Sequence, residues 1–176
     1  MKILGALERS GELIRLKRGL YSFRRSFEPL AAAASLHGAS YISFETALAY
    51  HGMIPEQIPT VMSVVDGRPA VFDTPAGRFE YYSQALPLFA LGMDLVFLGE
   101  RWCPMANREK ALLDTLARMR LRAASLDPAQ VLAFVRDALR IEKATLRALS
   151  IRKLRRMAPL YRNWAPRHLV ESLGRS

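Results

Sequence analysis

Residues 11–23 of the chain read GELIRLKRGLYSF, and this stretch predicts a basic β-hairpin near the start of the fold. β-forming residues alternate with polar ones over 12–16 and 20–24, and LKRG forms the turn between the two strands. The alternation predicts that three leucines pack inward and three cations face outward: Leu13, Leu16 and Leu20 inside, and Arg15, Lys17 and Arg18 outside. A hairpin tip with this much positive charge indicates a negatively charged partner.

The segment before the hairpin, ILGALERS at 3–10, predicts the end of a helix that Gly11 terminates. A helix that leads into a basic hairpin is typical of the second half of a winged helix, in which the wing directs cations towards phosphates. Two further helices are expected before the recognition helix, and this sequence starts too late to hold them. We therefore predict a partial winged helix over 1–26.

Composition indicates a globular protein with one sizeable core, because 51% of the 176 residues are hydrophobic. The single cysteine, Cys103, excludes an internal disulfide and predicts a reducing, cytoplasmic location. The apolar stretch at 85–99 is interrupted by Pro87, Gly92 and Asp94, so we expect no membrane span, and the N-terminus is too short for a secretory signal.

The net charge of +10 is unevenly placed along the chain. Residues 1–25 carry +5, residues 26–100 carry −6 and residues 101–176 carry +11. Such blocks indicate contact with nucleic acid or with an acidic partner. The alternative interpretation is a basic protein whose lysines and arginines form solvated faces.

Two short helices are predicted after the hairpin, over 29–38 and 43–52. Pro29 suits a first helical position and Ser43 an N-cap. In the second helix Ala47, Leu48 and Tyr50 are expected to face the core.

A sheet and further helices complete the predicted order. Strands are expected on both sides of the DGRP turn in 60–72, at 77–83 and at 94–99, giving an antiparallel sheet of about four strands. A helix is predicted over 107–119, with Asn107 as cap and Ala111, Leu112, Leu116 and Met119 facing inward. A second helix is predicted over 129–141, with Val131, Phe134, Val135 and Leu139 facing inward. A third is predicted over 144–157, and Pro159 and Pro166 are expected to break the helical structure beyond it. The order predicts an α+β fold in which residues 27–176 form a domain with a helical, basic C-terminal segment.

The sequence contains no recognisable catalytic or cofactor motif, so we expect a protein that is not an enzyme and needs no metal or cofactor. His37, His51 and His168 lie far apart; the first two precede glycines at predicted helix ends, where a cation complements the helix dipole. Cys103 is expected to be buried and inert. A metal-dependent nuclease is the enzymatic alternative, with Asp66, Asp73 and Glu80 as its candidate carboxylates.

The stretch IRKLRRMAPLYRNWAPRH at 151–168 carries six cations and no acid. Ile151, Leu154 and Met157 predict an apolar helix face that packs on the domain and turns the basic side outward. Five cations are candidates for contact with a polyanion or a partner: Arg152, Lys153, Arg155, Arg156 and Arg162. Nucleic acid, an acidic partner or membrane surface, and a solvated face remain the three interpretations.

Four stretches in the same order resemble the AbiEi-like antitoxins of type IV toxin–antitoxin systems. They are GELIRLKRGLYSF, ASYISFETALAYHGMIPEQIPTV, TPAGRFEYY and ANREKALLDTL, and together they cover roughly residues 9–118. Within the last stretch, EKALLD predicts buried Leu112 and Leu113 and intrahelical pairs among Glu109, Lys110 and Asp114.

The resemblance implies a DNA-binding transcriptional autorepressor that counteracts a nucleotidyltransferase-like toxin. It implies operator DNA as a partner, contacted by the wing and the basic surface near it: Arg9, Arg15, Lys17, Arg18, Arg24 and Arg25. The alternative is an antitoxin that binds its toxin or another partner and no longer contacts DNA, its winged helix being vestigial.

Overall fold

The N-terminal helix and hairpin form as predicted in the computed structural model, which describes residues 2–56, 58–118 and 127–174. Helix α1 (Lys2–Arg9) is followed by β1 (Leu13–Lys17) and β2 (Leu20–Phe23), which pair antiparallel. Gly11 lies at φ +77° between helix and hairpin, and Gly19 lies at φ +79° in the turn, so both adopt the left-handed backbone that glycine tolerates. Leu13, Ile14 and Leu16 are buried, and Leu20 is half-buried.

The α+β class is confirmed, and the main sheet is larger than predicted. Six strands lie in the order β5-β6-β4-β3-β8-β7. They are β3 (Ser40–Ile42), β4 (Thr60–Val65), β5 (Ala70–Thr74), β6 (Gly77–Ser83), β7 (Met93–Leu98) and β8 (Arg101–Ala106). Three neighbouring pairs are antiparallel, whereas β3–β8 and β4–β6 are parallel. The sheet is therefore mixed, and the expectation of antiparallel pairing throughout is wrong.

The mixed order arises because the two strands around DGRP do not pair with each other. β6 lies between them, parallel to β4 and antiparallel to β5. The alternation of side chains predicts where a strand forms and not which strand becomes its neighbour. The two unpredicted strands have weak local signals: β3 has only three residues, and β8 contains Pro104, which lacks an N–H for the ladder.

Helices cover both faces of this sheet. Neighbouring residues of a strand point to opposite faces, and Tyr81 and Tyr82 of β6 identify which helix lies on each. The Tyr81 hydroxyl donates to the Ala33 carbonyl of α2 (Pro29–Leu36) at 2.6 Å, while the Tyr82 ring lies 5.4 Å from the guanidinium of Arg118, at the end of α4 (Arg108–Arg118). Helices α2 and α4 therefore pack on opposite faces.

Two details of helix α3 (Phe44–Tyr50) differ from expectation. Tyr50 is 44% exposed, so only Ala47 and Leu48 of the predicted trio face the core. Ser43 occupies the N-cap position but makes no capping bond with its side chain, because its hydroxyl donates to Asp114 instead.

The C-terminal region is helical with more breaks than predicted. It contains α5 (Pro128–Asp137), α6 (Lys143–Arg147), α7 (Ile151–Met157) and α8 (Ala165–Gly174). The helix predicted over 144–157 is two helices, because Ser150 caps α7 by accepting from the Lys153 N–H. Pro159 lies in a short 3-10 turn, as a break requires, whereas Pro166 sits in the first turn of α8, where proline is tolerated.

Most of the predicted inward positions are buried. Asn107 caps α4 by accepting from the Lys110 N–H at 3.0 Å, and Ala111, Leu112 and Leu116 are fully buried. Val131, Val135 and Leu139 are buried and Phe134 is half-buried, while Met119 lies outside the described residues. Ile14 and Leu16 of the hairpin join the same core, and the division at residue 26 stays a prediction. Over the described ranges, no helix combines the length and apolarity that a membrane crossing needs.

Gly92, immediately before β7, is expected to be the glycine most sensitive to substitution. It has φ +70°, and a Cβ there would lie 2.7 Å from Met157 Sδ and 2.8 Å from Lys110 Cβ. Gly92→Ala is expected to lower the free energy of unfolding by about 2–4 kcal/mol, combining a strained backbone with overpacking. Urea denaturation measures this. The control is Gly52→Ala, at φ +64°, where a Cβ meets none of the described atoms within 4 Å. An equal loss in both variants would contradict the packing argument.

Candidate nucleic-acid interface and buried polar cluster

The hairpin carries its cations as predicted, although not all of them are free to contact a ligand. Arg15 on β1 and Arg18 in the turn are exposed. Lys17 is exposed along its stem, but its Nζ donates to the Leu36 carbonyl at 2.6 Å and lies 5.9 Å from the centroid of the Phe72 ring. Lys17 thus fastens the hairpin to the C-terminal end of α2, where a cation is favoured by the helix dipole.

The remaining predicted DNA contacts surround the base of the hairpin. Arg9 ends α1 and is exposed. Arg24 Nε donates to the Gly11 carbonyl at 2.9 Å, so it closes the loop between helix and hairpin. The guanidinium of Arg25 lies 5.9 Å from the ring centroid of Phe23, which is itself 51% exposed. Arg9, Arg15, Arg18 and Arg25 therefore form the solvent-facing part of the predicted interface.

Helix α7 places its cations outward, as the apolar spacing predicts. Leu154 and Met157 are buried, and the four cations between and beside them are exposed: Arg152, Lys153, Arg155 and Arg156. Arg162 is exposed after the buried Tyr161. The Lys153 ammonium lies 3.8 Å from Glu109 Oε2, and the three arginines of the helix, Arg152, Arg155 and Arg156, are exposed to solvent.

The two basic surfaces lie on opposite sides of the sheet. The hairpin packs on α2, where Leu16 and Leu20 line a cavity of about 680 Å³ together with Ala31, Ala32 and Ser35. Helix α7 packs on α4, which covers the other face. The exposed cations of the hairpin and those of α7 are therefore carried by elements that pack on different faces of the sheet.

A cluster of polar side chains lies buried between α4 and the sheet. Its members, here called the Asp114 cluster, are Tyr41, Ser43, Gln84, Lys110, Asp114 and Tyr161. Lys110 Nζ lies 2.9 Å from Asp114 Oδ1, and neither side chain has any exposed surface. Lys110 Nζ also donates to Gln84 Oε1 at 2.7 Å and to the Tyr161 hydroxyl at 3.1 Å, so all three of its N–H groups are used.

The Asp114 carboxylate accepts from every other member of the cluster. Tyr161 OH and Gln84 Nε2 lie 2.6 and 3.2 Å from Oδ1. Ser43 Oγ donates to Oδ2 at 2.7 Å, and Tyr41 OH lies 3.1 Å from the same oxygen and 2.7 Å from Gln84 Oε1. The charge is thus compensated by one cation and several hydrogen bonds, as a buried carboxylate requires.

Burial and the central charge control ionisation within the cluster. Burial lowers the pKa of the Lys110 ammonium, and the adjacent Asp114 carboxylate opposes that shift. Burial, followed by the Asp114 charge, raises the pKa of the Tyr41 and Tyr161 phenols. Both phenols therefore remain protonated donors at neutral pH. The groups point at one another, so the cluster is suited to hold the fold together rather than to bind a substrate.

The sequence predicted only part of this cluster. Leu112 and Leu113 are buried, and the Lys110–Asp114 pair is intrahelical, as expected. The prediction for Glu109 is wrong: its carboxylate accepts from the Ser150 N–H at 2.8 Å and so joins α4 to α7. The burial of this pair could have been predicted from its spacing. Lys110 and Asp114 lie four residues apart within an otherwise apolar helix face, so both charges point towards the core.

Beside the cluster lies a cavity of about 360 Å³, with Asp114 and Gln84 in its wall. The Arg118 guanidinium also lines it, lying 5.5 Å from the Phe44 ring and donating to Glu45 Oε1 at 2.6 Å. Phe44 has φ +55°, a left-handed backbone that is costly for a residue with a Cβ. The wall thus places the Arg118 cation against two aromatic rings, those of Phe44 and Tyr82, which are brought together only by the tertiary fold.

The three carboxylates of the nuclease alternative are not brought into one site. Arg78 joins two of them, since its Nη1 lies 2.9 Å from Asp73 Oδ1 and its Nε 2.8 Å from Glu80 Oε1. Hydrogen bonds from Tyr82 and Arg78 hold the pKa of Glu80 below its usual value. Across the described ranges no group of three histidine, cysteine or acidic side chains is arranged to hold a metal ion, and Asp66 stands apart from this pair.

The histidines make separate structural contacts. His51 Nε2 lies 2.8 Å from the Ala106 carbonyl of β8, and His37 packs against the Tyr81 ring with 5.0 Å between centroids. His168 Nδ1 lies 3.8 Å from Glu171 Oε2. The dipole role expected for His51 is thus replaced by a bond to a neighbouring strand. Cys103 is buried as predicted, and burial raises the pKa of its thiol, which disfavours a reactive thiolate.

Comparison with models of known protein families gives no match, and comparison with functionally characterised proteins gives none either.

Asp114→Asn is expected to be strongly destabilising, because it leaves the buried Lys110 ammonium without its counter-charge. Breaking one side of a buried ion pair costs about 3–5 kcal/mol. Urea denaturation of Asp114→Asn and of the control Asp73→Asn, whose side chain is 70% exposed in its ion pair, measures the difference. The control is expected to lose at most about 1 kcal/mol. Similar losses in the two variants would show that the cluster does not depend on the charge.

Proposed function

We propose that the protein is a non-enzymatic antitoxin of the AbiEi-like kind, which counteracts a nucleotidyltransferase-like toxin and represses its own operator by binding DNA. The DNA-binding part rests on the way the hairpin divides its side chains between the core and the solvent. Leu13 and Leu16 are buried and Leu20 is half-buried, whereas Arg15 and Arg18 are exposed on the strand and in the turn. Arginine at an exposed hairpin tip suits the phosphate contacts that position a protein on a duplex.

The anchoring of the hairpin supports a role in binding. Lys17 and Arg24 are bonded to backbone carbonyls, at Leu36 and Gly11, and Ile14 and Leu16 are part of the core. A hairpin held at both ends loses little conformational entropy when its tip contacts a ligand. The wing therefore offers two preorganised guanidinium groups rather than the three free cations expected from the sequence.

A partner-binding antitoxin that does not contact DNA is the second candidate, and the position of α7 favours it. Its exposed Arg152, Arg155 and Arg156 lie on the side of the sheet away from the hairpin. A basic surface there can bind an acidic protein without any contribution from the hairpin, so this candidate needs no contact with DNA.

The salt dependence of DNA binding separates the two surfaces. Arg15→Ala/Arg18→Ala is expected to weaken operator binding and to lower the slope of log K against log salt by about 2, since each phosphate contact contributes about 0.9. Arg152→Ala/Arg155→Ala removes the same charge from α7 and serves as the matched control. Fluorescence anisotropy on the upstream DNA of the gene, over a range of salt concentrations, measures both.

An unchanged slope in the hairpin variant would contradict the wing as DNA contact. A slope that falls only in the α7 variant would move DNA binding to that helix. If the native chain does not bind the upstream DNA and the α7 variant no longer protects cells that express the adjacent toxin gene, the partner-binding candidate is correct.

The non-enzymatic part of the proposal has its own test. The pure protein is expected to leave plasmid DNA and RNA intact with Mg²⁺ or Mn²⁺, because hydrolysis assisted by metal needs carboxylates that converge on the ion. Gel assays of the native chain and of Asp66→Ala and Asp73→Ala check this. Cleavage that disappears in either variant would establish the nuclease alternative.

A further inference from the structure

Lys17 leaves the hairpin on a different face from the one that the alternation of the sequence predicts. Arg15 pairs with Tyr21, but the next pair along β1 and β2 is Lys17 with Leu20, so β1 carries one extra residue at this point. Regular pairing would place Leu16 opposite Leu20 and would keep Lys17 on the face of Arg15. An extra residue of this kind is a β-bulge, which re-aims the side chains beside it.

The bulge turns the Lys17 side chain towards the domain. Directly opposed residues share a face, and Leu20, which stands opposite Lys17, packs against the core. Arg15 stands opposite Tyr21, the next residue of β2, and is exposed. Neighbouring residues of a strand point to opposite faces. The two cations of β1 therefore leave the strand in different directions, although they are only two residues apart.

The Lys17 ammonium meets two groups of the domain. Its Nζ donates to the carbonyl of Leu36, the last residue of α2, at 2.6 Å. The last carbonyls of a helix have no partner within the helix, and they attract a cation. Nζ also lies 5.9 Å from the centroid of the Phe72 ring, which belongs to β5 of the main sheet. One side chain thus joins the hairpin both to a helix and to the sheet.

The Phe72 ring is held in place by two other rings. Its centroid lies 5.7 Å from that of Tyr81 and 6.1 Å from that of His37, with interplanar angles of 86° and 80°. Edge-to-face packing of this kind is a favourable arrangement of aromatic rings. The Tyr81 hydroxyl is in turn bonded to the Ala33 carbonyl of α2. The ammonium of Lys17 therefore contacts a surface whose position is fixed by the core.

Lys17 lies between the two arginines that the proposed function assigns to phosphate contact. Arg15 precedes it by two residues on β1, and Arg18 follows it directly in the turn. The bond from Arg24 to the Gly11 carbonyl holds the opposite end of the hairpin, where it joins α1. The bond from Lys17 to the domain is next to the turn, so it bears directly on where the tip points.

We propose that Lys17 is a positioning residue for DNA binding, which fixes the direction of Arg15 and Arg18 through its bond to Leu36 and makes no phosphate contact itself. The proposal rests on the proposed function, in which these two arginines contact the duplex. An ammonium that turned to a phosphate would give up its carbonyl and its contact with the Phe72 ring, which offsets the gain. Held in place, it spares the tip the entropy of becoming ordered on the DNA.

Lys17→Met tests the proposal, because it keeps most of the apolar stem and removes the ammonium. Fluorescence anisotropy on the upstream DNA of the gene is expected to show binding about three- to tenfold weaker, with the salt slope of the native chain. Arg15→Met is the matched control, since it removes the same charge two residues away, and its slope is expected to fall by about 0.9. If Lys17→Met fails to fold, Lys17→Gln replaces it, because its uncharged amide ends one atom short of Nζ.

Hydrogen exchange of the same variants measures the attachment of the hairpin without DNA. A two-stranded hairpin is marginally stable by itself, so the protection of its amides depends on its contact with the domain. Amides of 13–17 and 20–23 are expected to exchange faster in Lys17→Met and at the native rate in Arg15→Met. Those of 77–83, in the main sheet, are expected to be unchanged in both variants.

The combined readouts separate the proposal from its alternatives. A slope that falls by about 0.9 in Lys17→Met, with native exchange of the hairpin, would overturn the proposal and make Lys17 a phosphate contact. Faster exchange with native affinity would also overturn it, because the bond would then be structural only. In both cases Arg15→Met still weakens binding, so the proposed function stands. A native chain that does not bind the upstream DNA would contradict the proposed function itself, and the role of Lys17 in binding with it.

Discussion

At the centre of the domain an ammonium and a carboxylate, those of Lys110 and Asp114, are withdrawn from water on adjacent turns of α4. Removing two charges from water costs several kcal/mol per ion, and the attraction between them offsets this only when the remaining lone pairs and protons are satisfied. The partners that satisfy them come from β3, from the segment after β6 and from the C-terminal region, through Tyr41, Gln84 and Tyr161. The charges are therefore compensated only when these distant segments have assembled together. The cluster consequently favours one arrangement of helices on the sheet over alternatives with similar apolar burial.

The placement of both basic surfaces follows from polar contacts of this kind. Glu109, next to Lys110, accepts from the Ser150 N–H and so fixes the start of α7, whose cations then face outward. On the other side of the sheet, Lys17 is bonded to the end of α2 and orients the hairpin. The exposed guanidinium groups on the two sides are thus carried by rigid elements, which favours contact with an ordered ligand surface at low entropic cost.

The sequence predicted local structure well and long-range pairing poorly, for a physical reason. Alternation and turn residues located the β1–β2 hairpin and β4 to β7, and capping residues located the helices near Pro29 and Asn107. The position of β6 between β4 and β5 depends on which side chains pack across the sheet, which no local window contains. The same limit applies to the candidate sites. Outward cations on α7 follow from helical spacing, whereas the bond between Lys17 and Leu36 joins residues that only the tertiary fold brings together.

Two features of the chain depart from the simple pattern of apolar residues inside and polar residues outside. The first is inside, where Lys110 and Asp114 occupy positions that spacing alone would fill with apolar residues. The second is at the edge, where a strand that is apolar on both faces is covered on only one of them. A core would form without either feature, and each carries a cost: desolvation in the first case and exposure of Phe97 and Trp102 in the second. The internal charges offset their cost by making the assembly of the domain specific. The exposed Phe97 and Trp102 rings contribute only their contact with each other, 5.3 Å between centroids, so the edge of the sheet gains far less from its apolar residues than the interior does.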